Sequence, residues 1–382
     1  MDQRGHGGCR PTRRTFLSGA GLVALGLAAG GATACASGPP AAAATMRVPG
    51  EDVALERVWM AWPSSATIWG SLLPAVQSDI ATLARTIGRS VPVVMCADGA
   101  LAATQARGRC GSRVTVIGSI PVDDCWMRDT GPVFRTDGSG GRDTVGLNFN
   151  GWGHRQIHGK DRRVAAEVAS DAAVAFHRAG FVGEGGAIES DGDGTVMATT
   201  SSLVNPNRNP GLTQRQVEAA VLAAYGATKM VWLPGLAGRD ITDDHVDATA
   251  RFVRPGVVMV QVGGAVTTGA WAQNARDIRR TLSTATDAKG RRLEVLTVRG
   301  PDSLPRWPRG QWPMFLDSYL NWVVTPTAVV TVQFGDRASD AAARSAIARA
   351  FPGKSVVQLD LDRLYGHGGG GAHCVTQQEP QP

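Results

Sequence analysis

Short segments with strand character alternate with helical patterns from Met46 to the C-terminus, and no linker interrupts them. The strand-like segments are rich in β-branched residues and are bounded by Gly, Pro or Asp, as is typical of short strands. They cover 57–62, 92–96, 113–120, 195–203, 229–235, 248–253, 257–262, 293–298, 328–334 and 355–361. This alternation predicts a mixed α/β fold, organised as a single domain over residues 45–382.

Four helices are predicted between these strands. The segment 161–180 has apolar residues at helical spacing and ends on a glycine. The segment 213–226 opens with a Thr-x-x-Gln capping box and also closes on a glycine. Two further helices are expected over 274–285 and 339–351.

The first 44 residues are predicted to be a targeting segment and a linker. Arg13 and Arg14 precede a short apolar run rich in Gly and Ala, which resembles a twin-arginine export signal. We therefore expect export by the twin-arginine machinery, to a secreted or membrane-attached location. Cys35 ends a stretch similar to a lipoprotein box and is a candidate lipid anchor, while nearby small residues offer cleavage sites instead. No later stretch is long and apolar enough to span a membrane.

Charge and cysteine content narrow the function further. The chain has 39 Lys and Arg against 33 Asp and Glu, without a basic run interleaved with aromatic residues, so nucleic-acid binding is not expected. Thiols outside the cytoplasm tend to pair, which makes Cys96 and Cys110 candidates for a disulfide across a short loop. No Cys or His spacing is typical of a structural zinc site.

Side chains able to do chemistry fall in four clusters. An extended segment projects residues two apart to one side, so we expect the histidine and the aspartate of the third cluster to face one space. Imidazole transfers protons near neutral pH, and a thiolate beside a protonated imidazole is a good nucleophile. The clusters are 123–132 with Trp126 and Asp129, 183–195 with Glu184, 240–252 with His245 and Asp247, and 366–374 with Cys374.

Several carboxylates around one thiol suit a flat cation with many N–H donors, which describes a guanidinium group. Trp126 is a candidate to stack on that cation or to form a wall of its pocket.

Two alternative functions remain open at this stage. One is a metal hydrolase built on Asp243, Asp244, His245 and Asp247. The other is an exported protein that binds guanidinium or polyamine cations without turning them over. Asp191 and Asp193 are interpreted as residues of a hairpin turn.

Eight motifs together resemble the family of agmatine deiminases and bacterial peptidylarginine deiminases. The resemblance covers nearly the whole chain after residue 44. It implies a pentein fold, in which five α/β modules surround a pseudo-fivefold axis with the active site at the centre. The motifs are WMRDTGP (126–132), EGGAIESDGDGT (184–195), SSLVNPNRNPGLT (201–213), DDHVDA (243–248), TDAKGRRLEV (286–295), SYLNW (318–322), VQFGD (332–336) and GGGAHCVTQQEP (369–380).

The resemblance also implies roles for single residues. Cys374 is similar to the nucleophile and His245 to the general acid and base, while Asp129 and Asp247 resemble the guanidinium-holding carboxylates. Glu184 is similar to the third acid of the pocket, and Trp126 to the tryptophan of the substrate wall. No metal or cofactor is implied. The expected reaction converts a guanidinium to a ureido group and ammonia through a covalent cysteine intermediate, with agmatine as the first candidate substrate and peptidyl-arginine as the alternative.

The sequence departs from the agmatine deiminase pattern at positions near these residues. Gly371 and Ala372 stand where Asn and Ile are common before the His-Cys pair, and Asp244 and Ala248 replace a glycine and an asparagine around the histidine. The stretch GGAVTTGAW (263–271) replaces an acidic stretch. These changes leave the implied chemistry intact and affect the part of the site expected to recognise the rest of the substrate.

Overall fold

The strand-like segments form five small sheets, as seen in a computed structural model that describes residues 45–306 and 315–382. The predicted leader, with Arg13, Arg14 and Cys35, lies outside the described residues. The strands are β1 Leu55–Ala61, β2 Val93–Cys96, β3 Val114–Ile117, β4 Val133–Thr136, β5 Arg142–Gly146, β6 Ala175–Arg178, β7 Ile188–Ser190, β8 Thr195–Thr199, β9 Lys229–Leu233, β10 Ala250–Arg254, β11 Val257–Val262, β12 Glu294–Arg299, β13 Val323–Val324, β14 Ala328–Val332, β15 Ser355–Leu359 and β16 Gln377–Pro380.

Helices connect the strands and cover the sheets. The longer ones are amphipathic; in α2, for example, Val76, Ile80, Leu83 and Ile87 recur at helical spacing and are fully buried. The helices are α1 Ala66–Trp69, α2 Leu73–Ile87, α3 Gly99–Cys110, α4 Met127–Thr130, α5 Gly151–His154, α6 Asp161–Asp171, α7 Thr200–Leu203, α8 Gln214–Tyr225, α9 Gly269–Thr284 and α10 Arg337–Ala350.

The five sheets repeat one design. In four of them the first strand pairs antiparallel with the middle strand, which pairs parallel with the third, and a helix crosses between the parallel strands. These are the β4–β6, β7–β9, β10–β12 and β13–β15 sheets. The fifth sheet has the order β16-β1-β2-β3, so its antiparallel strand comes from the C-terminus. The predicted α/β class is confirmed, and the arrangement of the modules about one axis remains a prediction.

The 161–180 helix prediction was wrong in its second half. Helix α6 ends at Asp171, and 175–178 forms β6, which pairs parallel with β5. Ala173 has a φ of 54°, so the backbone leaves the helix there although no glycine or proline signals it. The apolar spacing continues across the break, which explains the error.

Helix α9 begins at Gly269, five residues before the predicted start at 274. The capping box at Thr213 and the left-handed glycine at 226 are confirmed.

The proposed Cys96–Cys110 disulfide was also wrong, because neither thiol is bonded to another described residue. Cys96 ends β2 and Cys110 ends α3, a helix of 12 residues. Such a helix is about 18 Å long, which separates the ends that the disulfide would have to join.

Among residues 45–306 and 315–382, no helix combines the length and the apolar character needed to cross a bilayer.

The segment before β1 is bound to the body of the protein by its backbone. The Arg47 amide donates to the Thr136 carbonyl at 3.0 Å, and the Val48 amide donates to the Tyr225 carbonyl at 2.9 Å. Gly226, which ends α8 with a φ of 62°, lies against this segment; a Cβ there would overlap the carbonyl oxygen of Met46. The docked segment leads directly to Glu51.

We therefore expect Gly226→Ala to lower the free energy of unfolding by about 2–4 kcal/mol, from left-handed strain plus the overlap with Met46. Gly211→Ala is a matched control, since Gly211 has a φ of 77° but nothing within 4 Å of its added Cβ. It should cost only about 1 kcal/mol. Denaturant unfolding of both variants measures the difference, and equal losses would show that the contact with the amino-terminal segment contributes nothing.

Candidate active site

Five of the predicted site residues lie close together, brought there by four structural features. Asp129 lies on α4, and Glu184 directly precedes the 3-10 turn Gly185–Ala187. His245 and Asp247 flank the start of a second 3-10 turn, Val246–Ala248, so this segment is not the strand that the period-two argument assumed. Cys374 follows the glycine run. All but Cys374 are buried, and Cys374 is partly exposed.

Gly186 shows how closely these groups converge. A Cβ built on Gly186 would lie 2.8 Å from His245 Nδ1, 3.0 Å from Asp129 Oδ1 and 3.0 Å from Asp247 Oδ2. One point thus lies within contact distance of the imidazole and of both aspartates. His245 and Asp247 do face one space, as predicted, although a turn rather than a strand brings them there.

The Cys374 thiol lies between a carboxylate and an amide. Its Sγ is 3.5 Å from Asp247 Oδ2, and Asn321 donates to Sγ from Nδ2 at 3.2 Å. The Asn321 side-chain oxygen accepts from the backbone amides of His373 and Cys374, which fixes the chain around the nucleophile. Burial raises the pKa of the thiol well above its usual value, and the charges of Asp247 and Asp129 raise it further. The thiol is therefore protonated at neutral pH before any cation binds.

His245 is also held in its protonated form, which for imidazole carries a positive charge. Burial lowers its pKa, but the charges of Asp129, Glu184 and Asp247 outweigh burial and raise it to about 9. Its Nε2 faces Glu184 Oε2 at 3.2 Å, and its Nδ1 lies 3.9 Å from Asp129 Oδ1. At neutral pH this side chain is an imidazolium and is able to act as a general acid.

Glu184 holds the imidazole rather than lying free in the pocket. Both of its carboxylate oxygens accept from Arg208 Nε, at 2.8 and 2.9 Å, and both side chains are fully buried. Arg208 also binds Asp243 at 2.8 Å. Burial raises the pKa of Glu184, but Arg208 and His245 overcome that effect and hold it below its usual value. The structure thus gives Glu184 a positioning contact with His245.

The two aspartates differ in what remains available to a ligand. Asp129 accepts from Trp152 Nε1 at 3.0 Å and from the Gly186 amide at 3.1 Å, and burial is the main cause that raises its pKa to about 6. Asp247 Oδ2 faces His373 Nδ1 at 2.7 Å. Asp247 Oδ1 is buried and has no hydrogen-bond partner among the residues that the structure describes. A buried carboxylate oxygen of this kind suits an N–H donor.

The glycine run before Cys374 makes room for protein side chains. A Cβ at Gly370 would overlap the Trp126 ring, and one at Gly371 would overlap the Tyr365 ring and contact Asn321 Oδ1 at 2.5 Å. Trp126 is buried, and its indole N–H donates to Asp124 Oδ2 at 2.8 Å. Its ring supports the nucleophile loop, so the contact with substrate expected of Trp126 stays a prediction.

In the metal-hydrolase alternative Asp243 and Asp244 would be metal ligands, but each of them is bound by other side chains of the protein. Asp243 is bound by Arg155 and Arg208, and Asp244 accepts from Asn274 at 2.7 Å. Within the described part of the chain, the group whose ligand atoms lie close enough for a metal is Glu51, Glu189 and His373. Arg251 already pairs with both of these glutamates, so the charges there are balanced without an ion.

The comparisons with known proteins agree with this geometry. The family model for the Porphyromonas-type peptidyl-arginine deiminase matches residues 47–380. The chain belongs to this family. A Streptomyces coelicolor protein provisionally named agmatine deiminase is 39% identical over 358 residues, covering 88% of this chain and 99% of the relative. The agmatine deiminase of Pseudomonas aeruginosa strain LESB58 is 33% identical over 367 residues, covering 88% of this chain and 96% of the relative.

Solved structures give the same result. A structure of the Enterococcus faecalis agmatine deiminase superposes with a TM-score of 0.81 at 29% identity, covering 88% of this chain and 96% of that one. Membership in this deiminase family makes the protein a hydrolase of carbon–nitrogen bonds in linear amidines. The predicted family is therefore confirmed.

A cavity of about 760 Å³ lies beside the candidate cluster. Gly369 of the nucleophile loop and Asp244, next to His245, both line it. Thr267 and Trp271 come from the stretch that replaces an acidic segment, and Asp317 faces them. Burial raises the pKa of Asp317. Neighbours of the candidate cluster and residues of the 263–271 stretch therefore line one cavity.

Sequence reasoning missed several residues that hold the site together. Three of them lie in motifs that carried the family resemblance, and Glu51 and Trp152 lie outside those motifs. Their roles depend on partners far away in the chain: Asn321 lies 53 residues from Cys374, and Arg208 lies 24 from Glu184. The missed residues are Glu51, Trp152, Arg208, Asn321 and His373.

Proposed function

We propose that this protein hydrolyses agmatine to N-carbamoylputrescine and ammonia through a covalent intermediate on Cys374. The observation that carries the proposal is the environment of Asp247. One of its oxygens lies 3.5 Å from Cys374 Sγ, and the other is buried without a partner in the described structure. A guanidinium N–H bound there would bring its carbon next to the sulfur. The names of the relatives in the family agree with this substrate.

Binding the substrate activates the thiol in this proposal. Asp129 and Asp247 receive the guanidinium N–H groups, as paired carboxylates do with planar cations. The incoming positive charge offsets the two carboxylates that keep the thiol protonated, so the pKa of Cys374 falls when the cation binds and the thiol releases its proton to water. The nucleophile is then formed only in the presence of a cationic substrate.

The first half of the reaction forms the covalent intermediate. The Cys374 thiolate attacks the guanidinium carbon, and the imidazolium of His245 gives its proton to the departing nitrogen, which leaves as ammonia. An amidino-thioether remains, with a new carbon–sulfur bond in place of the broken carbon–nitrogen bond. In the second half, neutral His245 takes a proton from water, and the hydroxide attacks the same carbon. The carbon–sulfur bond then breaks, which releases the ureido product and restores the thiolate.

Two further expectations belong to this proposal. We propose that the five sheets are the blades of a pentein propeller, because each repeats the same strand and helix order and β16 pairs with β1. We also propose export through the twin-arginine pathway, on the basis of Arg13 and Arg14 and the apolar run after them. An exported enzyme would act on agmatine taken from outside the cell.

Activity is tested by measuring ammonia and ureido product from agmatine, free arginine and a blocked arginine peptide. Agmatine should be the best substrate, and Cys374→Ala should lower kcat at least about a thousandfold, because the nucleophile is lost. Cys110→Ala removes a buried thiol at the end of α3 and should leave kcat unchanged. Turnover of the peptide in preference to agmatine would favour peptidyl-arginine deimination, for which the adjoining cavity offers room. If none of the three is turned over, the proposed function is wrong.

The pH dependence of kcat/KM for agmatine should be bell-shaped. As pH falls through about 6, Asp129 is protonated and no longer holds the cation, so kcat/KM declines. As pH rises through about 9, His245 loses the proton that it must donate, and kcat/KM declines again. Initial rates between pH 5 and pH 10 measure both limbs. A profile that stays level down to pH 5 would contradict the role of Asp129.

Export is tested by fusing residues 1–44 to a reporter protein that folds before transport. The fusion should leave the cytoplasm, and a variant with Arg13→Lys and Arg14→Lys should stay inside, because the pathway recognises the arginine pair. Export of the double-lysine fusion at the same rate would remove the twin-arginine assignment.

A further inference from the structure

His373 lies between the nucleophile and the amino-terminal segment, with a carboxylate on each side. Its Nδ1 faces Asp247 Oδ2 at 2.7 Å, and its Nε2 faces Glu51 Oε1 at 2.6 Å. The histidine side chain is 1% exposed. Imidazole donates from both nitrogens only when it is protonated. This geometry therefore matches an imidazolium held between two carboxylates.

Glu51 is the anchor of this arrangement. It contacts Arg251 Nη2 at 2.5 Å and lies 3.4 Å from Arg128 Nη2, in addition to His373. Burial raises the pKa of Glu51, but Arg251, His373 and Arg128 together hold it well below its usual value. Glu51 is therefore ionised wherever the enzyme works, and it sits in the segment that docks against Gly226 and Thr136.

The contact with His373 determines how Asp247 presents itself to a ligand. His373 occupies Oδ2, and its charge helps to lower the pKa of Asp247 against the effect of burial. A carboxylate fixed at one oxygen has its other oxygen fixed in direction as well. For Asp247 that other oxygen is the one without a partner among the described residues.

We propose that Glu51 is a positioning residue of the active site, which acts through His373 to aim Asp247 at the guanidinium. This inference rests on the proposed function, since it assigns a residue to the same site. Arg251 also pairs with Glu189 and donates to the carbonyls of Leu320 and Trp322, so the surrounding ion pairs persist without Glu51. Of the contacts that Glu51 makes, the one that leads to Asp247 is the one with His373.

The test is Glu51→Gln, which keeps the shape of the side chain and removes its charge. We expect kcat/KM for agmatine to fall roughly ten- to a hundredfold, mainly through KM, because a charge-assisted hydrogen bond is weakened. Alkylation of Cys374 by 2-chloroacetamidine, which carries a cationic amidinium, should slow by a similar factor. Alkylation by neutral iodoacetamide should not change, since it does not use Asp247. Asp52→Asn is the matched control, because Asp52 is the next residue and pairs with Lys354 at 2.9 Å instead.

A double-mutant cycle with His373→Asn tests whether Glu51 acts on Asp247 through His373. Glu51→Gln should change little in that background, because both changes interrupt the same contact. Additive losses, or an equal loss of both alkylation rates in folded Glu51→Gln protein, would overturn the inference. Thermal unfolding checks the fold. If Glu51→Gln does not fold, Glu51→Asp is used instead. This variant keeps the negative charge but holds it farther from His373, because its side chain is shorter, and it should show the same selective loss of amidine alkylation.

The two alkylating reagents also separate this inference from the proposed function. If wild-type protein shows no preference for alkylation by the amidine over the amide, it has no working guanidinium site, and the proposed function fails. Wild-type protein that prefers the amidine, together with Glu51→Gln protein that keeps this preference, refutes the role of Glu51 alone.

Discussion

Buried ion pairs between arginines and carboxylates are the interactions on which this active site depends. A carboxylate removed from water requires a cation or several hydrogen-bond donors to remain ionised. Two fully buried arginines provide this compensation, each between two acids. Arg208 joins Glu184 to Asp243, and Arg251 joins Glu189 to Glu51. Glu184 in turn holds His245, and Glu51 holds His373, so each arginine supports one histidine of the site.

Among the residues that the structure describes, two aspartates of the site have no arginine as an ion-pair partner. Asp129 and Asp247 face the imidazole and the thiol, and their charges raise the pKa of both groups. The resting site therefore combines an imidazolium with a protonated thiol, which is a poor nucleophile. In the proposed function, a bound cation reverses this balance. The proposed site then favours cationic substrates twice, first in binding them and then in forming the thiolate.

The sequence was a good guide to the groups that meet in the candidate site and a poorer one to those that support them. Cys374, His245 and Asp129 could be selected because they lie in short clusters of reactive side chains and in motifs that resemble the family. Asn321 and Arg208 are ordinary polar residues until the fold brings a distant partner to them, which no local pattern indicates. The glycine run shows a subtler limit. A run of glycines shows in the sequence only that side chains are absent, and the structure shows that Gly370 and Gly371 make room for Trp126 and Tyr365.

The fold, like the site, could be predicted from the sequence only in part. Alternation and capping located ten of the strands and four of the longer helices, but they missed α2 and α3. Apolar spacing also extended α6 through a break at Ala173, where the backbone turns without a glycine. The expectation of five modules came from the family resemblance and not from residue patterns, because residues that pair across a sheet carry no common signature.

The central claim is that the sulfur of Cys374 becomes bonded to the guanidinium carbon during turnover. Its most direct test is a single-turnover reaction with agmatine, quenched in acid at successive times and followed by mass spectrometry of the Cys374 peptide. The account predicts a transient adduct with the mass of agmatine less one ammonia, which appears before N-carbamoylputrescine and then decays. Formation of N-carbamoylputrescine while Cys374 stays unmodified at every time point would contradict it.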